Sequence, residues 1–456
     1  MTPLLKELGA ATGLLLLFLA VIASAETLIR RRRLAAETAR KTVHLAGGLG
    51  CLLFPLLVSS WVTVLCLASG FACILYFGET RRLLQSLCAV KRKSRGSLLF
   101  PISILILFVL SKDRLWLYVA SLLVLVLADS AAALAGTRFG HRFYQTSPTE
   151  KKSLEGTLAF CAVGFLAVYL PLWLLADIPQ AACVLTALLM ALLLAGLEAV
   201  SIGGTDNLFV PLATLFLLWK IPDKPQVEIL FQVLSLFGVA FLVVIANKRY
   251  ETLPVRPLII LTLTTYAAWS LGSLDWLIPI LAGFILYNQL CAPCLPRPPD
   301  PSARKLLRPL YPSLLILFFA NATFALSVWH GPFIAATATA TSLCIIDRFL
   351  ADPAHPLLGG WRLAAATLLP GTLSLLLCTP LQGRVALLAI PALVSVCAAV
   401  TLLYKGLAGA FPSALPWKYS VSVGAGVAAL AYAGVQCAGF VPALDPSTWK
   451  EVFRCP

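Results

Sequence analysis

One stretch of this chain, Asp129 to Pro211, sets acidic, basic and glycine residues at the ends of apolar runs. Asp129 opens Asp-Ser-Ala-Ala-Ala-Leu-Ala-Gly136, and Gly140 follows four residues later. Lys151-Lys152-Ser153 leads into Glu155-Gly156-Thr157, and Glu198 precedes Asp206-Asn207 and Pro211. These are the groups that magnesium–nucleotide chemistry uses. Carboxylates such as Asp129 and Asp206 offer hard oxygen ligands to a small divalent cation. Lysines such as Lys151 and Lys152 act as point charges for phosphates, and glycine lets a backbone approach a ligand closely. Carboxylates in or beside apolar spans are costly to hold there, which marks Asp129, Glu198 and Asp206 as functional candidates.

The elements that must position these groups are membrane helices. Of the residues 60% are hydrophobic and 12% charged, about half the charged share of a soluble domain, and the mean hydropathy is +0.91. Sixteen apolar runs, from 9–29 to 419–440, predict an all-α polytopic membrane protein with about 14–16 transmembrane helices and no soluble domain. The run 9–29 has its arginines behind it rather than ahead, so it is expected to be a retained helix and not a signal peptide. The net charge of +15 does not require nucleic acid, because most of the Lys and Arg residues fall in alternate loops, as the positive-inside rule demands. That rule predicts a cytoplasmic face for the basic loops and, with them, for the catalytic site. The thirteen cysteines are scattered and do not form a metal-ligand pattern.

The chain is expected to divide near residue 250, into 1–250, where polar groups recur at span ends, and 251–456, where intramembrane charges nearly vanish. The second part is expected to hold almost no buried polar chemistry. Neither a Gly-x4-Gly-Lys-Ser/Thr loop nor a Gly-x-Gly-x-x-Gly turn occurs, which excludes the common soluble nucleotide folds. If a nucleotide binds, Gly136 and Gly140 would close a helix end, and the segment from Gly136 to Glu155 would form a loop able to cradle a triphosphate. Glu155-Gly156 would open the next span, whose amide end favours anions. A glutamate there can also simply cap amides.

In order and spacing these blocks resemble those of the polyprenol kinase family, which includes dolichol kinase and phytol kinase. The matching residues are Asp129-x-x-Ala-x-x-x-Gly136-x-x-x-Gly140, Lys151-Lys152-Ser-x-Glu155-Gly156-Thr157 and Glu198-x7-Asp206-Asn207-x-x-x-Pro211. Upstream, Arg40-Lys41-x-x-His44 and Arg95-Gly96-x-x-x-Phe100-Pro101 resemble earlier blocks of the family. The resemblance covers roughly residues 26–245. Ser130 and Ala133 stand where phytol kinases tend to carry Gly and dolichol kinases Ser, so it reaches the family and neither subgroup.

The resemblance implies transfer of the terminal phosphate of CTP, as co-substrate, to an isoprenoid alcohol, with Mg2+ or another divalent cation. On that basis Asp129, Glu198, Asp206 and Lys152 are the catalytic candidates, with Asp129 and Asp206 as metal ligands. Gly136, Gly140, Lys151, Lys152, Ser153, Glu155 and Gly156 would bind the nucleotide, and Glu155 would fix a lysine or the metal. Arg40, Lys41, His44, Arg95 and Asn207 would support the site. Either Glu198 or Asp206 could take the proton of the alcohol. The partners implied are the isoprenoid alcohol, CTP and membrane lipid, with no nucleic acid. The alcohol is expected to lie between spans, bordered by Trp116 and Trp219. A cytidylyltransferase making a CDP-lipid and a non-enzymatic transporter are the alternatives.

Overall fold

A computed structural model of the chain describes residues 3–31, 36–81, 96–111, 114–147, 150–248, 253–291, 303–350, 361–378, 383–410 and 417–444. In lipid every backbone N–H and C=O must be satisfied within the protein, and helices do this along each apolar run. The described residues are almost wholly helical, and the fold is that of an all-α polytopic membrane protein. The sixteen predicted runs fall largely on helix, but 43–58 crosses the break between Ala36–Cys51 and Phe54–Leu57, and 310–329 crosses the turn between Ala303–Ala322 and Leu326–Leu350. Among the described residues, seven helices are long and apolar enough to cross a membrane, Leu5–Ile29, Trp61–Gly78, Leu115–Phe139, Leu154–Leu175, Gln180–Val200, Gln226–Lys248 and Leu274–Cys291. Shorter apolar stretches of helix among the described residues are Gly96–Leu110, Val255–Leu271, Pro309–Ala322, Leu388–Tyr404 and Val421–Cys437.

The chain forms two compact units, Met1–Leu234 and Ser235–Pro456. In the first, α1 (Pro3–Arg30), α2 (Ala36–Cys51), the single turn α3 (Phe54–Leu57), α4 (Trp61–Thr80) and α5 (Gly96–Leu110) come first. Then α6 (Leu115–Leu123) runs through a π-helical turn, Val124–Ala128, directly into α7 (Asp129–Phe139). A hairpin of β1 (Phe143–Ser147) and β2 (Glu150–Ser153) follows, then α8 (Leu154–Leu175), α9 (Gln180–Val200) and α10 (Asp206–Lys220). The unit boundary falls within α11 (Gln226–Lys248).

Two of the sequence expectations are corrected here. Gly136 does not close a helix: α7 continues through it to Phe139 and ends at Gly140, whose backbone is extended. The segment before Glu155 is not an open loop either. Phe143, Tyr144 and Gln145 pair in antiparallel register with Ser153, Lys152 and Lys151. Thr146 Oγ1 donates to the Glu150 carbonyl at 3.0 Å, and the Tyr144 hydroxyl meets Thr157 Oγ1 at 2.6 Å, tying the hairpin to α8.

Small residues set the helix spacing around the site, as they do between membrane helices in general. A Cβ on Gly156 of α8 would lie 2.8 Å from the Ala132 carbonyl of α7. At Gly164, two turns further on, it would lie 3.8 Å from Ala128 Cβ. A Cβ at Gly48 would overlap the Val126 side chain, so α2 rests directly on the π turn.

The second unit packs α12 (Val255–Leu271), α13 (Leu274–Cys291), α14 (Ala303–Ala322), α15 (Leu326–Leu350), α16 (Trp361–Cys378), α17 (Gly383–Ala410) and α18 (Trp417–Cys437). From His330 to Ala340, α15 is buried on every side. The expectation that this region holds almost no buried polar chemistry fails. Asp275 is 0% exposed and His330 1%, and Arg256, Asn288, Ser313 and Thr337 are buried too. These polar residues are separated along the chain by long apolar runs, which is why they do not stand out in the sequence.

Candidate active site

Asp129, the first residue after the π turn, is held by Lys41 on α2, whose Nζ lies 2.6 Å from its Oδ2. His44, one turn further along α2, approaches the same oxygen at 3.6 Å. Its Nε2 also meets the Leu125 carbonyl at 3.2 Å, and its ring stands edge-on to Phe100 at 4.9 Å. π turns are frequent where a helix is locally shaped for function. Here the turn carries both the Leu125 carbonyl that meets His44 and the Val126 side chain that receives Gly48.

The second ion pair joins the hairpin to α9. Lys152 Nζ lies 2.5 Å from Glu198 Oε1 and also donates to the Glu198 backbone carbonyl. Their side chains are only 14% and 7% exposed. Burial opposes the charge on Lys152, but the carboxylates of Glu198 and Asp206 outweigh it and raise its pKa above the ordinary lysine value. Lys152 is therefore a fixed cation at neutral pH.

Asp206 is positioned by a turn that needs glycine. Gly203 and Gly204 adopt φ of +63° and +82°, a region open to glycine at little cost. The Gly203 amide donates to Glu150 Oε2 at 3.4 Å, which joins the turn to β2. Asp206 then begins α10, and its Oδ1 accepts from the Asn207 amide at 3.1 Å. Asn207 Nδ2 donates to the Gly96 carbonyl at 3.0 Å, fastening α10 to the start of α5. Pro211 has no N–H for the Asn207 carbonyl four residues back, and Ser103 of α5 donates to that carbonyl instead.

These groups line one cavity of about 670 Å3. Arg40, Lys41, His44, Asp129, Gly136, Lys151, Lys152, Ser153, Gly156, Glu198, Asp206 and Asn207, all named from sequence, border it. Gly140 and Glu155 do not. Glu155 accepts from the Arg142 amide at 3.2 Å, which ties the start of α8 to the segment before the hairpin. Ser153 N-caps α8 by accepting from the Gly156 amide at 3.1 Å, and it faces the cavity as well. A Cβ on Gly136 would come within 3.0 Å of Ser153 Oγ, so glycine keeps α7 close to that cap. Arg95 lies outside the described residues.

Sequence reading missed Glu150, Gly203, Gly204 and Ser103. The Gly-Gly pair was the one visible signal, as a turn marker. Trp116 and Trp219 do not border the cavity. Its apolar part is formed instead by residues such as Phe18, Phe54 and Phe71, while Trp219 stacks with the Arg114 guanidinium at 5.6 Å.

The donor set suits a magnesium-type cation in one respect. Such an ion keeps several waters and takes one or two carboxylates together with substrate phosphates. Asp129 and Asp206 both border the cavity, and the described residues contain no group of three or more His, Cys, Asp or Glu that could hold a metal by themselves.

The fold and this cavity define a multi-pass membrane protein with an ion-paired, lysine-rich pocket suited to a phosphorylated ligand. Phytol kinase of Synechocystis sp. (strain ATCC 27184 / PCC 6803 / Kazusa) is 34% identical to the chain over 223 residues, covering 48% of this chain and 94% of that protein. The chain belongs to the polyprenol and phytol kinase family. No family model and no solved structure matches it.

Proposed function

We propose that the chain is a kinase that transfers the terminal phosphate of CTP to an isoprenoid alcohol at the cytoplasmic membrane face. The observation that carries this reading is the two-sided cavity. Arg40, Lys41, Lys151, Lys152, Asp129, Glu198 and Asp206 gather at one part of it, and aromatic and aliphatic side chains form the rest. Phosphoryl transfer asks a protein mainly for positioning and for stabilisation of charge on the transferred group. Lys151 and Lys152 hold the phosphates, and Arg40 and Lys41 of α2 border the same cavity. Glu198 acts through Lys152 as a positioning residue, holding the ammonium by both its carboxylate and its backbone carbonyl.

Asp129 and Asp206 would hold a divalent cation, which when bound neutralises phosphate charge. Lys41 and His44 fix the direction of the Asp129 carboxylate. Among the described residues Asp206 has no ion pair, and it is the carboxylate that takes the proton of the acceptor hydroxyl. The loose transition state of such transfers places only a small demand on that base. The kinase unit is proposed to correspond to residues 1–250, with 251–456 as an additional membrane region, and the charge pattern supports a cytoplasmic face for the basic loops and the site.

The test is transfer by detergent-purified protein from terminally labelled CTP or ATP to phytol, farnesol, geranylgeraniol and a long polyprenol. Labelled lipid phosphate from CTP is expected. Cytidylyl transfer with release of pyrophosphate, or no labelled lipid from either nucleotide, would overturn the proposal.

A further inference from the structure

The face of α2 that borders the cavity changes character along its length. Arg40, Lys41 and His44 come first, then Gly47 and Cys51. From Arg40 to Cys51 this face rises about 16 Å at ~1.5 Å per residue. The charged part thus passes within three turns into a purely apolar arm. Phe18 and Ile22 of α1, Phe54 of α3, and Phe71 and Leu75 of α4 form its walls. Phe18 is the keystone: its ring stands edge-on to Phe71 at 4.9 Å and to Phe54 at 6.1 Å. Two of the helices that bound the arm, α1 and α4, are long and apolar enough to cross a membrane. A nucleotide base or ribose placed in this arm would lose hydrogen bonds to water without replacement, at a cost in free energy. A hydrocarbon chain would gain from the same burial.

We infer that the arm between α1, α2 and α4 is the acceptor-chain subsite, that it reads only the isoprene units nearest the hydroxyl, and that Gly47 sets its depth. This deepens the kinase reading and rests on it for the identity of the acceptor. The limit on length follows from size. A cavity of about 670 Å3 falls among those that enclose small ligands, and the charged part already claims its share for phosphates. The arm therefore holds the proximal end of a chain, and the remainder of a long polyprenol extends beyond it. Gly47 is the point of control because a Cβ there would make only ordinary contact, 3.9 Å from Phe18 Cδ1. A larger side chain would fit on the helix and project into the arm.

Two measurements on the full-length protein test this. In the wild type, the KM for the acceptor should fall from geraniol to farnesol to geranylgeraniol and then stay level for a long polyprenol. Gly47→Leu should raise the KM for geranylgeraniol by about tenfold or more, the loss expected when a few methylene groups are no longer buried. The nucleotide KM should stay within about twofold, and geraniol should be less affected than geranylgeraniol. Leucine is a better helix former than glycine, so the variant does not weaken α2. The second measurement needs no turnover: a farnesol analogue with a diazirine on its terminal isoprene unit is crosslinked to wild-type protein and the labelled residues are mapped. Label on α1, α3 and α4 around Phe18, Phe54 and Phe71, reduced in Gly47→Leu, is the expected result. Label concentrated at Trp116, Trp219 or residues 253–444 overturns the subsite, as does an unchanged acceptor KM in an active Gly47→Leu. If the wild type transfers no phosphate yet the label maps to this arm, the kinase reading fails and the subsite stands.

Discussion

Both units bury ionisable groups, and they treat them in opposite ways. In the first unit Asp129 and Glu198 are each paired with a lysine, and all four residues face the cavity. In the second, Asp275 and His330 sit in a packed aromatic interior. His330 Nε2 meets the Asp275 backbone carbonyl at 3.3 Å, Trp276 lies 5.3 Å from the His330 ring and 4.5 Å from Phe333, and a Cβ at Gly331 would strike Tyr432. Burial of a charged residue type is therefore common to both units and marks neither. In the first unit the buried charges border a cavity of about 670 Å3 where a ligand can reach them.

The largest expected effect breaks the first arrangement. Lys152→Met should lower phosphate transfer by about a thousandfold, the scale of losing a preorganised charge at a developing negative centre. It should also lower thermal stability by about 3–5 kcal/mol, because Glu198 keeps its burial and loses its partner. Labelled-lipid formation and a detergent melting curve read the two separately. Asp206→Asn should reduce transfer by about a hundredfold or more while the melting midpoint barely moves, since an asparagine oxygen still accepts from the Asn207 amide. Gly156→Ala comes next, at about 1–3 kcal/mol of stability, because the new methyl meets the Ala132 backbone carbonyl. Asp275→Asn in the second unit should leave transfer within about twofold, and a loss comparable to that of Asp206→Asn would erase the distinction between the units.

A pH series sharpens the same contrast. Because the folded pKa of Lys152 is raised, its stabilisation is complete below the unfolded lysine value near ~10.4 and fades as pH rises through the folded value. The gap in melting midpoint between wild type and Lys152→Met should therefore be open at neutral pH and narrow only above the unfolded lysine value. A gap that closed near neutrality would mean that Lys152 is not the charge that holds Glu198.

The helices were legible because the apolar runs are long and bounded by charge, and the site residues because acidic, basic and glycine positions recur in order between Asp129 and Pro211. Their pairing was not. Lys41 reaches Asp129 across 88 residues of chain and Lys152 reaches Glu198 across 46, and spacing along a chain does not say which lysine meets which carboxylate. The hairpin was hidden because Phe143 to Ser153 mixes polar and aromatic residues with no apolar run to flag a strand. The apolar arm was hidden for the opposite reason: Phe18 and Phe71 lie in uniformly apolar helices, where an aromatic facing lipid and one facing a cavity look alike.

The π turn at Val124–Ala128 has a bearing on how relatives are compared. Such a turn amounts to one extra residue in an otherwise regular helix. The helix from Leu115 to Phe139 therefore changes phase at Asp129, by about 100° per inserted residue. A relative with a straight helix would keep the same faces with one residue fewer, and an alignment that admits no gap there would set a neighbour of Asp129 opposite that relative's carboxylate. Deleting Leu125 should accordingly straighten the helix and leave Asp129 facing Lys41, at the cost of the Leu125 carbonyl that meets His44.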